Sequence, residues 1–116
     1  MLKGMNVGID IINVERFEKK HYDENKMFYK KIFNESEIKY CLKFKHPFSH
    51  FAGKFAVKEA TKKSLNHNIP MKNIETSHSN SKPIILIDKL KNYSFLVSLS
   101  HENDLAIAVV ISLKLD

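Results

Sequence analysis

The sequence predicts an α+β fold in a single domain that takes up residues 1–116. Three observations favour this class. The length is that of one ordinary domain. Apolar residues recur at a helical period in the first half of the chain. The second half instead contains runs of β-branched and aliphatic residues separated by turn residues. Helices and strands that segregate along a chain in this way are typical of α+β proteins.

The first predicted element is a strand over residues 5–13, in which side chains alternate between two faces. One face carries Val7, Ile9 and Ile11, and the other carries Gly8, Asp10 and Ile12. Asp10 is unusual because aspartate is depleted in strands. Either Asp10 ends the strand and caps a helix predicted over residues 14–20, as Asn13 could also do, or its carboxylate serves another purpose.

A second helix is predicted over residues 33–42. Asn34 or Ser36 is suited to be its N-cap, and acidic residues follow in the first turn. Residues 21–31, which precede this helix, carry no firm signal for either a helix or a strand.

The third predicted helix covers residues 51–65, after a break at Pro47, and residues 66–68 can supply a left-handed cap at its end. Its apolar stripe consists of Ala52, Phe55, Ala56 and Ala60. Glu59 and Lys63 fall inside that stripe. The remaining polar residues are expected to face water on the other side of the helix: Lys54, Lys58, Thr61 and Lys62.

The spacing of Glu59 and Lys63 allows two interpretations. Residues four apart on a helix often form a surface ion pair, here in the favourable order with the acid first. A carboxylate within an apolar stripe is costly unless it is paired or binds a metal. The second interpretation is therefore that the carboxylate and the ammonium both point into a cleft.

The second half of the chain is predicted to form strands. A weak strand over residues 72–77 leads into a turn over 77–81, and a strand over 82–88 follows with Pro83 at its entrance. After a short helix or loop, two β-rich runs at residues 94–100 and 105–113 are expected to form a hairpin through a loop at 101–104.

The composition limits the classes of molecule that the protein is expected to bind. The net charge is +6, which attracts nucleic acid, anionic lipid, phosphorylated metabolites or an acidic protein. Nucleic acid is disfavoured because Arg16 is the only arginine and tryptophan is absent. No apolar run approaches the length of a membrane span, and the start lacks a signal sequence. Together with the single Cys41, these features predict a cytoplasmic protein.

Several local motifs resemble the holo-acyl-carrier-protein synthase family, the small trimeric type of 4′-phosphopantetheinyl transferase. The segment Gly8-Ile-Asp10 is similar to the family's opening signature, and residues 33–38 to its Ser/Thr-x-x-Glu helix start. Residues 51–60, followed by Lys63, are similar to its Phe-Ala-x-Lys-Glu-Ala helix. The segments Ser81-Lys82-Pro83 and Ser98-Leu-Ser-His101 match two further elements, so the resemblance runs almost end to end.

The resemblance implies a fold, a reaction and a set of roles. The fold is an antiparallel sheet with a long helix packed on it. The reaction moves 4′-phosphopantetheine from coenzyme A to a serine of apo acyl carrier protein, releases adenosine 3′,5′-bisphosphate, depends on Mg²⁺ and serves fatty acid biosynthesis. Asp10 and Glu59 are the implied metal ligands, and a water polarised by Mg²⁺ and oriented by Glu59 would take the serine proton.

The implied catalytic residues are Glu59, Lys63 and His101. The implied coenzyme A-binding residues are Lys54, Lys63, Lys82, Ser100 and His101. Arg16 and Lys20 are implied to dock the acidic carrier protein, and the family's trimer places active sites between subunits.

The chain departs from the family pattern at three places. Residues 66–70 replace a glycine-rich turn, Lys54 replaces an arginine and Ser81 replaces a glycine. Two other functions stay open: a non-catalytic basic module that binds an acidic protein or nucleic acid, and a different nucleotide-phosphate enzyme that uses the same metal ligands. His101 could also be an ordinary turn residue.

Overall fold

A computed structural model describes residues 3–115 of the protein. The strands in this range are β1 (Met5–Asn13), β2 (Glu75–Ser79), β3 (Lys82–Leu86), β4 (Tyr93–Glu102) and β5 (Leu105–Lys114). The α-helices in the same range are α1 (Glu15–Glu18), α2 (Lys26–Ile32), α3 (Glu35–Leu42) and α4 (Phe48–Ser64). Two short 3-10 helices span Tyr22–Glu24 and Met71–Asn73.

The strands form two antiparallel sheets. The larger sheet has the order β1-β5-β4, and β2 pairs with β3 in a separate hairpin. Helix α4 packs against β1 and β5 on one face of the larger sheet. The predicted α+β class, with a long helix on an antiparallel sheet, is therefore confirmed. None of the helices in residues 3–115 combines the length and the apolarity that crossing a lipid bilayer requires.

Gly8 sets how closely β1 lies on α4. A Cβ atom added to Gly8 would lie 1.9 Å from the carbonyl oxygen of Ala60 and 2.8 Å from the backbone nitrogen of Ser64. Only glycine permits this backbone contact. Since alternate strand residues share a face, the contact also turns Asp10 towards the last turns of α4.

The first half of the chain builds an aromatic core against α4. Phe17 on α1 and Tyr29 on α2 are fully buried and pack against Phe33 and Phe51. The hydroxyl of Tyr29 donates a hydrogen bond to the carbonyl of Lys20, and burial raises the pKa of Tyr29 to about 12. These contacts fix α1 and α2 against the long helix.

Helix α3 begins as the sequence predicts. The side chain of Asn34 accepts a hydrogen bond from the backbone of Glu37, and Glu37 in turn accepts one from the backbone of Asn34. This reciprocal arrangement satisfies two backbone donors that the first turn would otherwise leave free.

The prediction that one side of α4 faces water is wrong. Lys54, Lys58 and Thr61 are buried, and only Lys62 on that side is partly exposed. Helix α3 and strand β2 cover this side of α4 and supply oxygen acceptors for the buried ammonium groups. Lys58 forms a 2.7 Å ion pair with Glu37 and donates to the carbonyl of Ile74.

Some predicted boundaries also need correction. Helix α4 begins at Phe48 rather than at residue 51, and it ends with Leu65 in an extended conformation, so the predicted left-handed cap is wrong. Both hairpin turns are shorter than predicted because β2 and β4 continue into them. Asn80, Ser81 and Asn103 adopt the left-handed conformations that tight two-residue turns require.

Candidate active site

The crossing of β1 and α4 brings the first predicted pair of site residues together. The Nζ atom of Lys63 lies 3.1 Å from Oδ1 of Asp10 and donates a second hydrogen bond to the carbonyl of Ile9 at 3.0 Å. The side chain of Lys63 is about half exposed, whereas that of Asp10 is 14% exposed. Asp10 lies within β1 and faces the helix, so it does not cap α1.

Glu59 lies one helical turn before Lys63 and next to Ala60, the residue whose carbonyl faces Gly8. Its side chain is partly buried. Within residues 3–115, Lys63 pairs with Asp10 rather than with Glu59, so the surface ion pair considered for Glu59 does not form. Glu59 thus lies one turn of α4 before the residue that contacts Asp10.

The donor set at this crossing suits a hard cation. Two carboxylates on separate elements provide oxygen ligands, and Mg²⁺ commonly binds through one or two carboxylates, substrate phosphates and waters. Among residues 3–115, no group of three or more His, Cys, Asp or Glu side chains is arranged to hold a metal ion. Asp10 and Glu59 could therefore hold such a cation only together with ligand or solvent oxygens.

A second cleft lies where the first half of α4 meets β4 and the β2–β3 hairpin. His101 lines it, and the ring Nε2 of His101 lies 3.1 Å from the carbonyl oxygen of Ser49. A Cβ atom on Gly53 would lie 3.3 Å from that ring nitrogen. Because Gly53 has no side chain, His101 lies directly against the helix.

Lys54 forms the buried wall of this cleft. Its Nζ atom donates to Oγ1 of Thr76 at 3.0 Å and to the carbonyl of Thr76 at 3.3 Å, and it lies 4.8 Å from the ring centre of Tyr40. The side chain has no ion-pair partner among residues 3–115. Burial lowers the pKa of Lys54. The cleft therefore contains a cation that only neutral groups contact directly.

The remaining predicted residues lie at different places. Lys82 is exposed at the start of β3, beside Pro83, which lines the cleft. Ser100 is exposed on the opposite face of β4 from His101, because neighbouring residues of a strand alternate. Within one chain, Ser100 and His101 therefore do not share a site.

Arg16 and Lys20 are exposed near the short helix α1. Arg16 lies over the ring of Phe55 at 5.0 Å, and Lys20 lies over the ring of Phe28 at 4.8 Å. Both side chains thus combine a packed position with an accessible charge.

The sequence reasoning missed two residues of the cleft, His50 and His78, to which it assigned no role. The signal for His50 was available, since His50, Gly53, Lys54 and Val57 follow the i, i+3, i+4, i+7 pattern of one helix face. His78 carries no such signal, because its position depends on the hairpin that pairs it with Pro83. A larger cavity of about 470 Å³ near Lys72 and Leu86 contains none of the predicted site residues.

The two sites lie at different ends of α4. Lys54 and Lys63 are nine residues apart, which corresponds to roughly 14 Å along a helix. A single phosphate cannot contact both lysines. A ligand that used both sites would need two separated phosphate groups, or the sites would have to come from two copies of the chain.

Comparison with known proteins identifies the superfamily of this chain. A family model described as the 4′-phosphopantetheinyl transferase superfamily matches residues 6–110. The chain belongs to this superfamily, which confirms the resemblance noted in its motifs, and it is a phosphopantetheinyl transferase.

Similar proteins narrow the comparison further. The holo-[acyl-carrier-protein] synthase of Thermodesulfovibrio yellowstonii is 39% identical, over 96% of this chain and 98% of that protein. A holo-(acyl-carrier-protein) synthase from Bacillus anthracis in complex with CoA (3′,5′-ADP) superposes with a TM-score of 0.80 at 28% identity, covering 94% of this chain and 96% of that one. The synthase of Helicobacter pylori in complex with coenzyme A gives 0.77 at 34% identity, covering 91% and 98%.

Proposed function

We propose that this chain is a holo-acyl-carrier-protein synthase. It transfers the 4′-phosphopantetheine arm of coenzyme A to a serine of apo acyl carrier protein, releases adenosine 3′,5′-bisphosphate and serves fatty acid biosynthesis in the cytoplasm. The observation that carries the proposal is the contact between Asp10 and Lys63, with Glu59 one turn away, in a chain of this superfamily.

Asp10 and Glu59 are the residues that would hold Mg²⁺. When bound, the cation would neutralise charge on the diphosphate of coenzyme A. The fit rests on the donor set: both side chains end in carboxylates, and Glu59 lies one turn of α4 before Lys63, which contacts Oδ1 of Asp10. Among residues 3–115, no hydrogen-bond donor contacts the other carboxylate oxygens of this pair.

Lys63 and Glu59 have separate tasks in the transfer. The serine oxygen forms a bond to the β-phosphorus of coenzyme A, and the bond from that phosphorus to the adenosine bisphosphate oxygen breaks. The half-exposed ammonium of Lys63 can reach a phosphate oxygen and offset the charge of the leaving group. The carboxylate of Glu59 can take the serine proton, directly or through an oriented water.

The cleft of Lys54 and His101 would bind a phosphate group of coenzyme A. Its support is the buried ammonium of Lys54, which has no ion-pair partner among residues 3–115, and the ring of His101 in the same cleft. Lys82, beside Pro83, can approach the same ligand from the solvent side. Ser100 would contribute only on the outer face of the sheet.

The outer face of the larger sheet supports a homotrimer with active sites between subunits. On this face Val7, Ile9 and Ile11 of β1 are about 60% exposed, and Leu96 of β4 is 67% exposed. An apolar patch of this kind on a sheet favours contact with another protein surface. Assembly would also place Ser100 near another copy of the chain. The two sites lie roughly 14 Å apart on α4, and assembly could bring one site of each of two subunits together.

The carrier protein would dock on α1. Arg16 and Lys20 offer exposed positive charge there, and a chain of net charge +6 complements an acidic partner. Since such contacts are screened by salt, the KM for the carrier protein should rise with ionic strength.

Mass spectrometry of intact apo carrier protein tests the proposed reaction. After incubation with the enzyme, coenzyme A and Mg²⁺, the carrier is expected to gain the mass of one phosphopantetheine arm, and a chelator should abolish the gain. If the carrier binds but its mass stays unchanged, the chain acts as a non-catalytic basic module. If another nucleotide diphosphate replaces coenzyme A as donor, the substrate assignment is wrong.

A further inference from the structure

Two histidines outside the proposed catalytic set line the same cleft as Lys54 and His101. The ring of His50 stacks on Phe44, with ring centres 3.6 Å apart and planes 14° apart. The ring of His78 stacks on Tyr40, with centres 4.9 Å apart. These contacts fix both imidazoles at the cleft, although His78 remains exposed to solvent.

The cleft collects groups that are or can become positively charged. Three imidazoles and one ammonium line it, and no carboxylate does so among residues 3–115. The carboxylate of Glu37 lies outside the cleft and is linked to Lys54 by Thr76. The hydroxyl of Thr76 accepts a hydrogen bond from Lys54, and the backbone nitrogen of Thr76 donates one to Glu37.

We propose that His50 and His78 bind a phosphate monoester together with Lys54 and His101, and that they take up protons as the phosphate binds. This inference rests on the proposed function, under which the phosphate monoester is the 3′-phosphate of coenzyme A rather than its diphosphate. It assigns two additional residues to the substrate site and ties substrate affinity to pH.

The sign of the effect follows from the charges that face each ring. His50 meets His101 of β4, His78 of β2 and Lys54 of its own helix, and burial and then these groups lower the pKa of His50. Burial and Lys54 lower the pKa of His78. Protonation of both rings is therefore disfavoured in the free protein. A bound dianion supplies the missing negative charge, so protons enter with the ligand and affinity rises as pH falls.

Binding measurements with two ligands isolate this effect. Dissociation constants for coenzyme A and for 3′-dephospho-coenzyme A would be measured from about pH 6 to pH 8, the range in which histidine titrates. The wild type is expected to bind coenzyme A about tenfold more tightly at the lower end for each unit by which the ligand raises a histidine pKa. The affinity for 3′-dephospho-coenzyme A should change far less.

The double variant His50→Asn/His78→Asn should lose most of this pH dependence. The 3′-phosphate itself titrates near pH 6, but it does so equally with both proteins, so their difference reports the histidines. Calorimetry in two buffers of different ionisation enthalpy should show fewer protons taken up by the double variant. His46→Asn removes an exposed histidine outside the cleft and should behave like the wild type.

Three results would overturn the inference: an unchanged pH slope in the double variant, equal slopes for the two ligands, or equal proton uptake. If the variant still transfers phosphopantetheine, the proposed function survives that failure. His78→Asn alone, at an exposed position, provides a second test should the double variant unfold at a lower temperature. A protein that binds no coenzyme A at any pH would contradict both proposals.

Discussion

Three lysines of helix α4 show how neighbours decide the role of one residue type. Lys58 is fully buried against Glu37, Lys54 is buried against the oxygens of Thr76, and Lys63 reaches out to Asp10. The helical periodicity predicts that Lys54 and Lys58 face solvent, because lysine is counted as a polar residue. Their burial depends on acceptors from α3 and β2, which only the tertiary structure brings there.

The Glu37–Lys58 pair should matter strongly for stability. Both side chains are completely buried, and Glu37 also accepts hydrogen bonds from the backbone and hydroxyl of Thr76. Glu37→Gln keeps the size of the side chain but leaves the charge of Lys58 without its partner. Loss of one partner of a buried ion pair costs about 3–5 kcal/mol, so a decrease of that order in the free energy of unfolding is expected.

Urea unfolding monitored by circular dichroism would measure this decrease. Glu35→Gln, at an exposed position in the same helical turn, is the matched control and should change the free energy of unfolding by less than about 1 kcal/mol. If both variants unfolded at the same urea concentration, the buried pair would not support α4 as described.

At the scale of elements, the strands and α3 follow from local sequence, whereas α2 does not. The alternation in residues 5–13 predicts β1 with its correct two faces, and the capping box of Asn34 and Glu37 predicts the start of α3. Helix α2 (Lys26–Ile32) has only 7 residues, and it is held by the burial of Tyr29 among other aromatic rings. A helix of about two turns is too short for a periodic pattern to identify it.

Local sequence likewise accounts for only part of the candidate site, and the rest depends on long-range packing. The sequence predicts Asp10, Glu59 and Lys63 as site residues, and the close passage of β1 at Gly8 explains why Asp10 and Lys63 are in contact. It grouped Ser100 with His101, which strand alternation separates. It could not place His50 and His78 in one cleft, because that requires the position of the β2–β3 hairpin relative to α4.

Cys41 is the single cysteine of the sequence. Cys41 lies on the inner side of α3 and is completely buried. Burial raises the pKa of its thiol to about 12. The thiol is therefore protonated at neutral pH and is a poor nucleophile, consistent with a packing role.

At the scale of the whole molecule, the two faces of the larger sheet differ in their partners. One face packs on α4, while the other leaves Ile9 and its apolar neighbours exposed. The second face is where the proposed homotrimer would form. Its burial would also explain why a small domain keeps β-branched side chains on an open surface.

Light scattering coupled to size-exclusion chromatography would measure the assembly. The wild type should elute with three times the mass of one chain, and Ile9→Lys should shift the protein to single chains that remain folded, because the substitution lies on the outer face. Glu35→Lys, on the exposed side of α3, should leave the mass unchanged. A wild type that elutes as a single chain would exclude active sites shared between subunits.

The most direct test of the account is the transfer rate of Glu59→Gln, measured by mass spectrometry of apo carrier protein with coenzyme A and Mg²⁺. Under the proposed function Glu59 would hold the cation and take the proton, so its loss should lower the rate by about a hundredfold or more, with an unchanged melting temperature. Glu35→Gln should retain the wild-type rate. A Glu59→Gln protein that transfers the arm as fast as the wild type would contradict the assignment of the β1–α4 crossing as the active site.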